Sequence, residues 1–197
     1  MASFKQFTNT MLCFCSVFAA LHIIHGFENI ALNKPTYQSN EFEYHGAPAG
    51  TFDSSNAVDG LKGDLSAFGG QCVISKNGFN DSTWWVNLKS IYSIHEIRIY
   101  YRTDNAPWGP TNGYTARFLG FYVYVSNTTK ILDGHLCFHD TIYNNATIPA
   151  IANITCSVYG QYVIYYNHRP QPSSYSDQYS PFAHNELCEV EVYGTFL

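Results

Sequence analysis

The chain has 197 residues, 17% of them aromatic and 13% charged, with a formal net charge of −5 at pH 7. That length suits one domain with its own core and excludes two large ones, and the aromatic-rich, charge-poor mix favours half-buried pleated surfaces over long solvated helices. No cluster of Lys and Arg stands anywhere in the sequence, which excludes a nucleic-acid footprint and a polybasic membrane patch.

Residues 1–26 read as a signal peptide. Lys5 lies in a short n-region, an apolar run follows over residues 11–24, and Gly26 offers a small residue for cleavage, with Ala19 or Ala20 as alternatives. The run is shorter than the ~20 residues of a membrane span and no basic flank follows it. From there to the C-terminus, residues 27–197 form one predicted domain without linker or repeat. Dense or alternating β-formers mark strands at residues 84–88, 94–101, 118–125, 162–166 and 189–193. In the last, Val190 and Val192 alternate with Glu189, Glu191 and Tyr193, the pattern of a strand with one wet face. Turn-rich stretches fall at 46–50, 59–70, 105–113 and 170–181, and no long segment carries a helical stripe. The pattern predicts an all-β domain, a β-sandwich or jelly roll, whose binding residues belong on the loops at one end.

Six Cys are present; Cys13 and Cys15 fall in the signal segment and leave Cys72, Cys137, Cys156 and Cys188. Four Cys in an exported chain predict two disulfides, with three possible connectivities. Sequons at Asn80, Asn127, Asn145 and Asn153 point the same way, to a glycosylated extracellular surface. His135, Cys137 and His139 share one face of an extended strand, but an exported Cys is more often oxidised than metal-bound.

Several motifs then line up in order. Asn29-Ile-Ala-Leu-Asn-Lys-Pro-Thr-Tyr-Gln-Ser, Ser55-Asn-Ala-Val-Asp-Gly, Trp84-Trp-Val-Asn-Leu, Arg102-Thr-Asp and Leu187-Cys-Glu-Val-Glu-Val-Tyr resemble the F-type lectins (fucolectin-like domains) and the related discoidin and coagulation-factor type C domains. The Asn112-Gly-Tyr and Arg117-Phe-Leu-Gly elements are most similar to the fucolectin-type domains of invertebrate receptor-like proteins. The resemblance spans residues 28–194. It implies a galactose-binding-like jelly roll of about eight main antiparallel strands, with disulfides Cys72–Cys188 and Cys137–Cys156.

The resemblance also implies a structural calcium ion. Its ligands would be Asn56 and Asp59, the carbonyls of Leu61, Gln71 and Cys188, and the Glu189 carboxylate. Calcium takes six to eight oxygens, and carboxylates and carbonyls of an irregular loop supply them; Asp59-Gly60 is also an ordinary turn pair.

For sugar binding the family uses a His and two Arg. Here Arg102 and Asp104 stand in place; the family's spacing for the second cation leads to Gly109, and with a longer loop Arg117 aligns instead, because residues 118–125 then match the following strand. The expected His position holds Ile74, with Lys76 as a nearby substitute cation, and Asn105 and Ala106 replace an apolar Cys pair. Trp108 is the candidate platform for the C–H face of a sugar. Tyr44, His45 and Phe68 lie in loops bordering the same end. An alternative role for Arg102 and Arg117 is to brace loops through Asp104.

No Gly-x-Ser-x-Gly elbow, His-Glu-x-x-His helix or phosphate loop occurs, and no carboxylate pair is spaced as in a glycosidase, so an enzyme is not expected. The sequence thus predicts a secreted, calcium-stabilised lectin for fucose or another glycan, in recognition or innate defence, with no membrane insertion. A protein-interaction or adhesion module on the same fold, meeting a cell-surface protein, is the alternative. Weak single sites would gain from homo-oligomers.

Overall fold

A computed structural model describes residues 27–169 and 178–197. The signal-peptide reading of residues 1–26 and most of the 170–181 turn lie outside them. Among the described residues seven strands form: β1 (Glu28–Asn29), β2 (Thr36–Gln38), β3 (Asp81–Tyr101), β4 (Tyr122–Ser126), β5 (His135–His139), β6 (Ile151–His168) and β7 (Leu187–Phe196). All pairings are antiparallel, in the order β1-β7-β3-β6-β4-β5, with β2 also on β3.

Two long strands make the sandwich. In β3, Trp84, Val86 and Leu88 are buried while Thr83, Trp85 and Asn87 are only partly so. At Lys89 the backbone enters the left-handed region (φ 70°), and the register jumps from Asn87/Tyr162 to Tyr92/Gly160. After a second shift the buried set is Ile97, Ile99 and Tyr101, so the inward phase has changed from even to odd. Such irregularities bend a strand and re-aim its side chains. The first half of β3 pairs with β2 and the second half of β6, which continues to β4 and β5; the second half pairs with β7 and the first half of β6. Both halves feed one core, where Trp84, Val123, Val163 and Tyr165 meet Ile97, Ile154, Val190 and Val192. The predicted strands at 84–88 and 94–101 are therefore one bent strand, and the all-β sandwich is as expected.

Both disulfides form, Cys72–Cys188 tying the β2–β3 connection to β7 and Cys137–Cys156 tying β5 to β6. Two strand expectations need correction. Residues 118–125 are not all strand: Thr115–Phe118 is a helical turn and β4 starts at Tyr122. The break is Gly120, at φ 72°, whose N–H donates to the buried Asp140 Oδ2 at 2.8 Å. In β7 the predicted wet face is dry, with Glu189 and Glu191 both buried. The loop at 60–62 covers it: Gly60 N–H donates to Glu189 Oε2 at 3.1 Å, and Lys62 pairs with Glu191.

Candidate functional site

Arg102 follows the last residue of β3, and Arg117 lies in the helical turn before β4. The chain between them turns through Asp104 and Asn105, both in the left-handed region at φ 52° and 56°, a conformation short polar residues tolerate. Arg102 grips Asp104 with two bonds, Nε to Oδ1 at 2.6 Å and Nη2 to Oδ2 at 3.1 Å. Its Nη1 donates to Glu186 Oε1 at 3.1 Å and its Nη2 to the Tyr114 hydroxyl at 2.9 Å. Arg117 Nη1 donates to the same Glu186 oxygen at 2.5 Å. Tyr114 lies beside both cations, with 4.0 Å from the Arg102 guanidinium to the ring centroid and 5.0 Å from that of Arg117, and its hydroxyl donates to Asp104 Oδ2. The structure thus brings Arg102, Asp104 and Arg117 together as expected.

Two residues of this cluster escaped the sequence reading. Tyr114 had only a faint signal, the Asn112-Gly-Tyr element. Glu186 had none, because an isolated acid reads as a surface residue; here it is 1% exposed. Burial pushes the Glu186 carboxyl up, while Arg117 and Arg102 pull against it. Asp104 is moved the other way: burial would raise it, but hydrogen bonds from Arg102 and Tyr114 hold it below the usual carboxylate range. His184, also buried, is driven down to about 3 by desolvation and the nearby Arg117, Arg169 and Arg102. Arg102 is itself buried, so its donors are largely spent on protein, whereas the side chains of Arg117 and Asp104 keep 25% and 32% of their surface. These two hold the accessible polar edge.

The remaining residues read as sugar contacts are placed as follows. Ile74 is buried in a small apolar cluster with Phe52, Ala67, Cys72 and Cys188, and serves as core. Trp108 donates its indole N–H to the Ile148 carbonyl at 2.7 Å and packs against the main core near Tyr101 and Phe118. Lys76 pairs with Glu43. The loop that carries Phe68 is tied to the cluster instead: Ala67 N–H donates to Asp104 Oδ1 at 3.1 Å, and Leu65 O accepts from the N–H groups of Thr103 and Asp104. Phe68 stacks edge-on with Tyr44 at 5.6 Å and with Phe52 at 5.5 Å, and Phe68 and Tyr44 remain exposed.

At the second predicted site, Glu189 and the 56–61 loop converge. Glu189 is fully buried; Oε2 accepts from Gly60, which holds φ +80°, and Oε1 has no partner. Desolvation, with the Asp59 charge adding to it, lifts its pKa to about 8. Asp59 is raised by burial as well. Cys188 sits at the bulge between the Tyr100/Glu189 and Tyr101/Leu187 pairs. The Gln71 side chain accepts from Gly63 and Asp64 N–H groups, and the Asn56 amide donates to the carbonyls of Gly50, Thr51 and Cys72, so these two brace the loop. Glu189 Oε1 is left without a partner beside Asp59, so the residues present are compatible with the oxygen donors a cation takes.

Of the sequon residues, Asn80 and Asn127 are exposed at strand ends; Asn145 is half-buried, and Asn153 accepts from Arg98 Nε at 2.9 Å.

No family model matches the chain. Fucolectin-3 of Anguilla japonica is 29% identical over 167 residues, spanning 84% of this chain and 78% of its own. Among solved structures, a Streptococcus pneumoniae fucose binding module superposes with a TM-score of 0.61 at 23% identity, covering 86% of this chain and 96% of its own. The serum f-lectin (fucolectin) of striped bass, Morone saxatilis, also gives 0.61 at 22% identity, covering 86% of this chain and 48% of the longer lectin. The fold is therefore the β-sandwich of carbohydrate-binding lectin modules. Within that class, the resemblance to F-type lectins read from the motifs is borne out by a fucolectin relative along most of the chain. Such relatives are binding domains, in line with the reading of this chain as one and not as an enzyme.

Proposed function

We propose that this chain is a secreted, calcium-stabilised lectin that recognises a glycan, fucose or another sugar, at the loop end beside Arg117. The observation that carries the reading is the Ala67–Asp104 hydrogen bond, which ties an aromatic-tipped loop to the arginine cluster. Arg117 would donate to sugar oxygens and Asp104 accept from hydroxyls, while Tyr44 and Phe68 offer an apolar wall for the C–H face. Arg102, Tyr114 and Glu186 hold these groups in place. Calcium would be held by Asp59 and Glu189 with carbonyls of Leu61, Gln71 and Cys188, and Asn56 supporting the turn; it supplies no chemistry beyond neutralising buried charge and fixing the loops. Two disulfides favour an oxidising, extracellular setting.

A second reading, a protein-binding or adhesion module facing a cell-surface partner, draws on the burial of Arg102 and on Ile74 in place of a His. A glycan array with and without chelator separates the two. The lectin reading expects a discrete set of glycans, fucosylated or other, lost in Arg117→Ala; silence on the array with a retained protein partner favours the module.

A further inference from the structure

A groove of 720 Å³ runs along the outer face of β2 and β3 and is walled by residues 129–133, which follow β4. It shares no residue with the Arg102 cluster or the Glu189 loop, and its size is that of small-ligand sites, ~300–1,000 Å³. Its floor is aromatic. The alternation of β3 that sends Trp84 into the core leaves Trp85 facing out. Tyr37 sits directly opposite Trp85 across the β2–β3 ladder, with the two rings stacked at 5.4 Å and 19°. Tyr162 supports Trp85 edge-on at 5.6 Å. Tyr37 remains 48% exposed and Leu132, on the facing wall, 99%.

The rim of the groove is polar; Ser39 bonds to the Thr83 backbone and Asp133 accepts from Thr128, but several other groups are unspent. Of the three Trp, Trp84 and Trp108 donate their indole N–H to the carbonyls of Ser54 and Ile148, but the Trp85 N–H has no protein acceptor among the described residues. The Tyr37, Thr83 and Thr129 hydroxyls and the Lys130 ammonium are likewise without a protein partner among them. Lys130 and Asp133 put one charge of each sign at the rim, which favours a neutral ligand over an anion or cation. An exposed aromatic pair with free donors and acceptors around it complements a pyranose, which has an apolar C–H face and a hydroxyl edge. A hexopyranose whose substituents are all equatorial presents the flattest C–H face to such a ring, and a β1,4 linkage keeps successive rings in one ribbon.

We infer that this groove is a second carbohydrate site, which takes a neutral β1,4-linked hexopyranose chain by stacking it on Tyr37 and Trp85. It stands independently of the loop-end site. The test is titration of the full glycosylated protein with cellotriose and, separately, with triacetylchitotriose, following the indole N–H resonances by NMR. The expected result is a saturable shift of the Trp85 signal with either sugar. Binding, followed by calorimetry in the variants because Trp85→Ala lacks the reporting indole, should weaken roughly tenfold in Trp85→Ala and in Tyr37→Ala, the scale of a lost aromatic stack, and remain unchanged in Arg117→Ala. Lys130→Ala, at an exposed position with no fold to disturb, should also weaken it. No shift with either sugar, or a shift lost in Arg117→Ala, overturns the inference. So does a shift that appears only after Asn127→Gln, because the groove then seats the chain's own glycan.

Discussion

Arg117 reaches Glu186 across 69 residues of sequence, donating from Nη1 to Oε1 at 2.5 Å. The same oxygen accepts from Arg102, so one buried acid sets the spacing of two cations that the sequence brings near each other by no local device. A buried carboxylate between guanidinium groups contributes little net stability, but removing it strands charge in a dry place.

Glu186→Leu is accordingly expected to destabilise the fold by about 3 kcal/mol or more, and Glu186→Gln by less, since its amide oxygen still accepts. Urea unfolding of the three proteins measures this. A Leu variant as stable as the parent would show that the arginines do not depend on Glu186.

Tyr114→Phe removes a hydroxyl that both donates to Asp104 and accepts from Arg102, yet keeps the ring beside the two cations. A loss of about 1–2 kcal/mol is expected. Tyr114→Ala, which also removes the cation–ring contacts, should lose more. Thermal melts of the two variants order them.

Glu189 governs a pH effect. Its folded pKa of about 8 lies above the ordinary carboxylate value of 4.5, so the folded state binds this proton more tightly than the unfolded one. In chelator the stabilisation is complete at low pH and drains away as pH rises from about 4.5 to about 8. Added calcium should reverse the loss, with an affinity that rises with pH over the same window as the proton leaves. Melting temperature against pH, with calcium and with chelator, reads both effects, and Glu189→Gln should abolish the calcium response.

His184 acts in the opposite direction. Its pKa falls to about 3 in the fold from an ordinary 6.5, so stability is complete above 6.5 and is lost as pH drops toward 3. His184→Gln should flatten this acid limb. Circular dichroism through an acid titration detects the difference.

The two disulfides differ in reach. Cys72–Cys188 closes a separation of 116 residues and Cys137–Cys156 one of 19. In the chain-entropy model these contribute about 5 and about 3 kcal/mol. Paired Ser substitutions of Cys72 and Cys188 should therefore lower the unfolding midpoint further than those of Cys137 and Cys156, as denaturant melts under non-reducing conditions would show.

Much of the strand content was legible because alternation along 84–88 and the β-rich run at 94–101 are local signals. That the two runs are one strand was not, since the positive φ at Lys89 and the register shift depend on partners in β6. The wet face expected of Glu189 and Glu191 failed for a related reason. Alternation reports polarity, and polarity cannot tell water from a loop that folds over a strand and satisfies its carboxylates. Phe118 fitted a strand pattern, but Gly120 and Asp140 decide where β4 begins.

The sequence by itself determined the all-β class, the cysteines available for two bridges, the Arg102-Thr-Asp element and the lectin resemblance, because each rests on residue type and short spacing. Tertiary structure alone decided that Ile74 serves the core, that Trp108 packs half-buried against it and that Glu186 joins both arginines. It also exposed Trp85 beside Tyr37 on an open face. The physical reason is common to all three: burial and pairing are set by segments distant in sequence, and only the closed sandwich determines which polar groups find partners and which remain free.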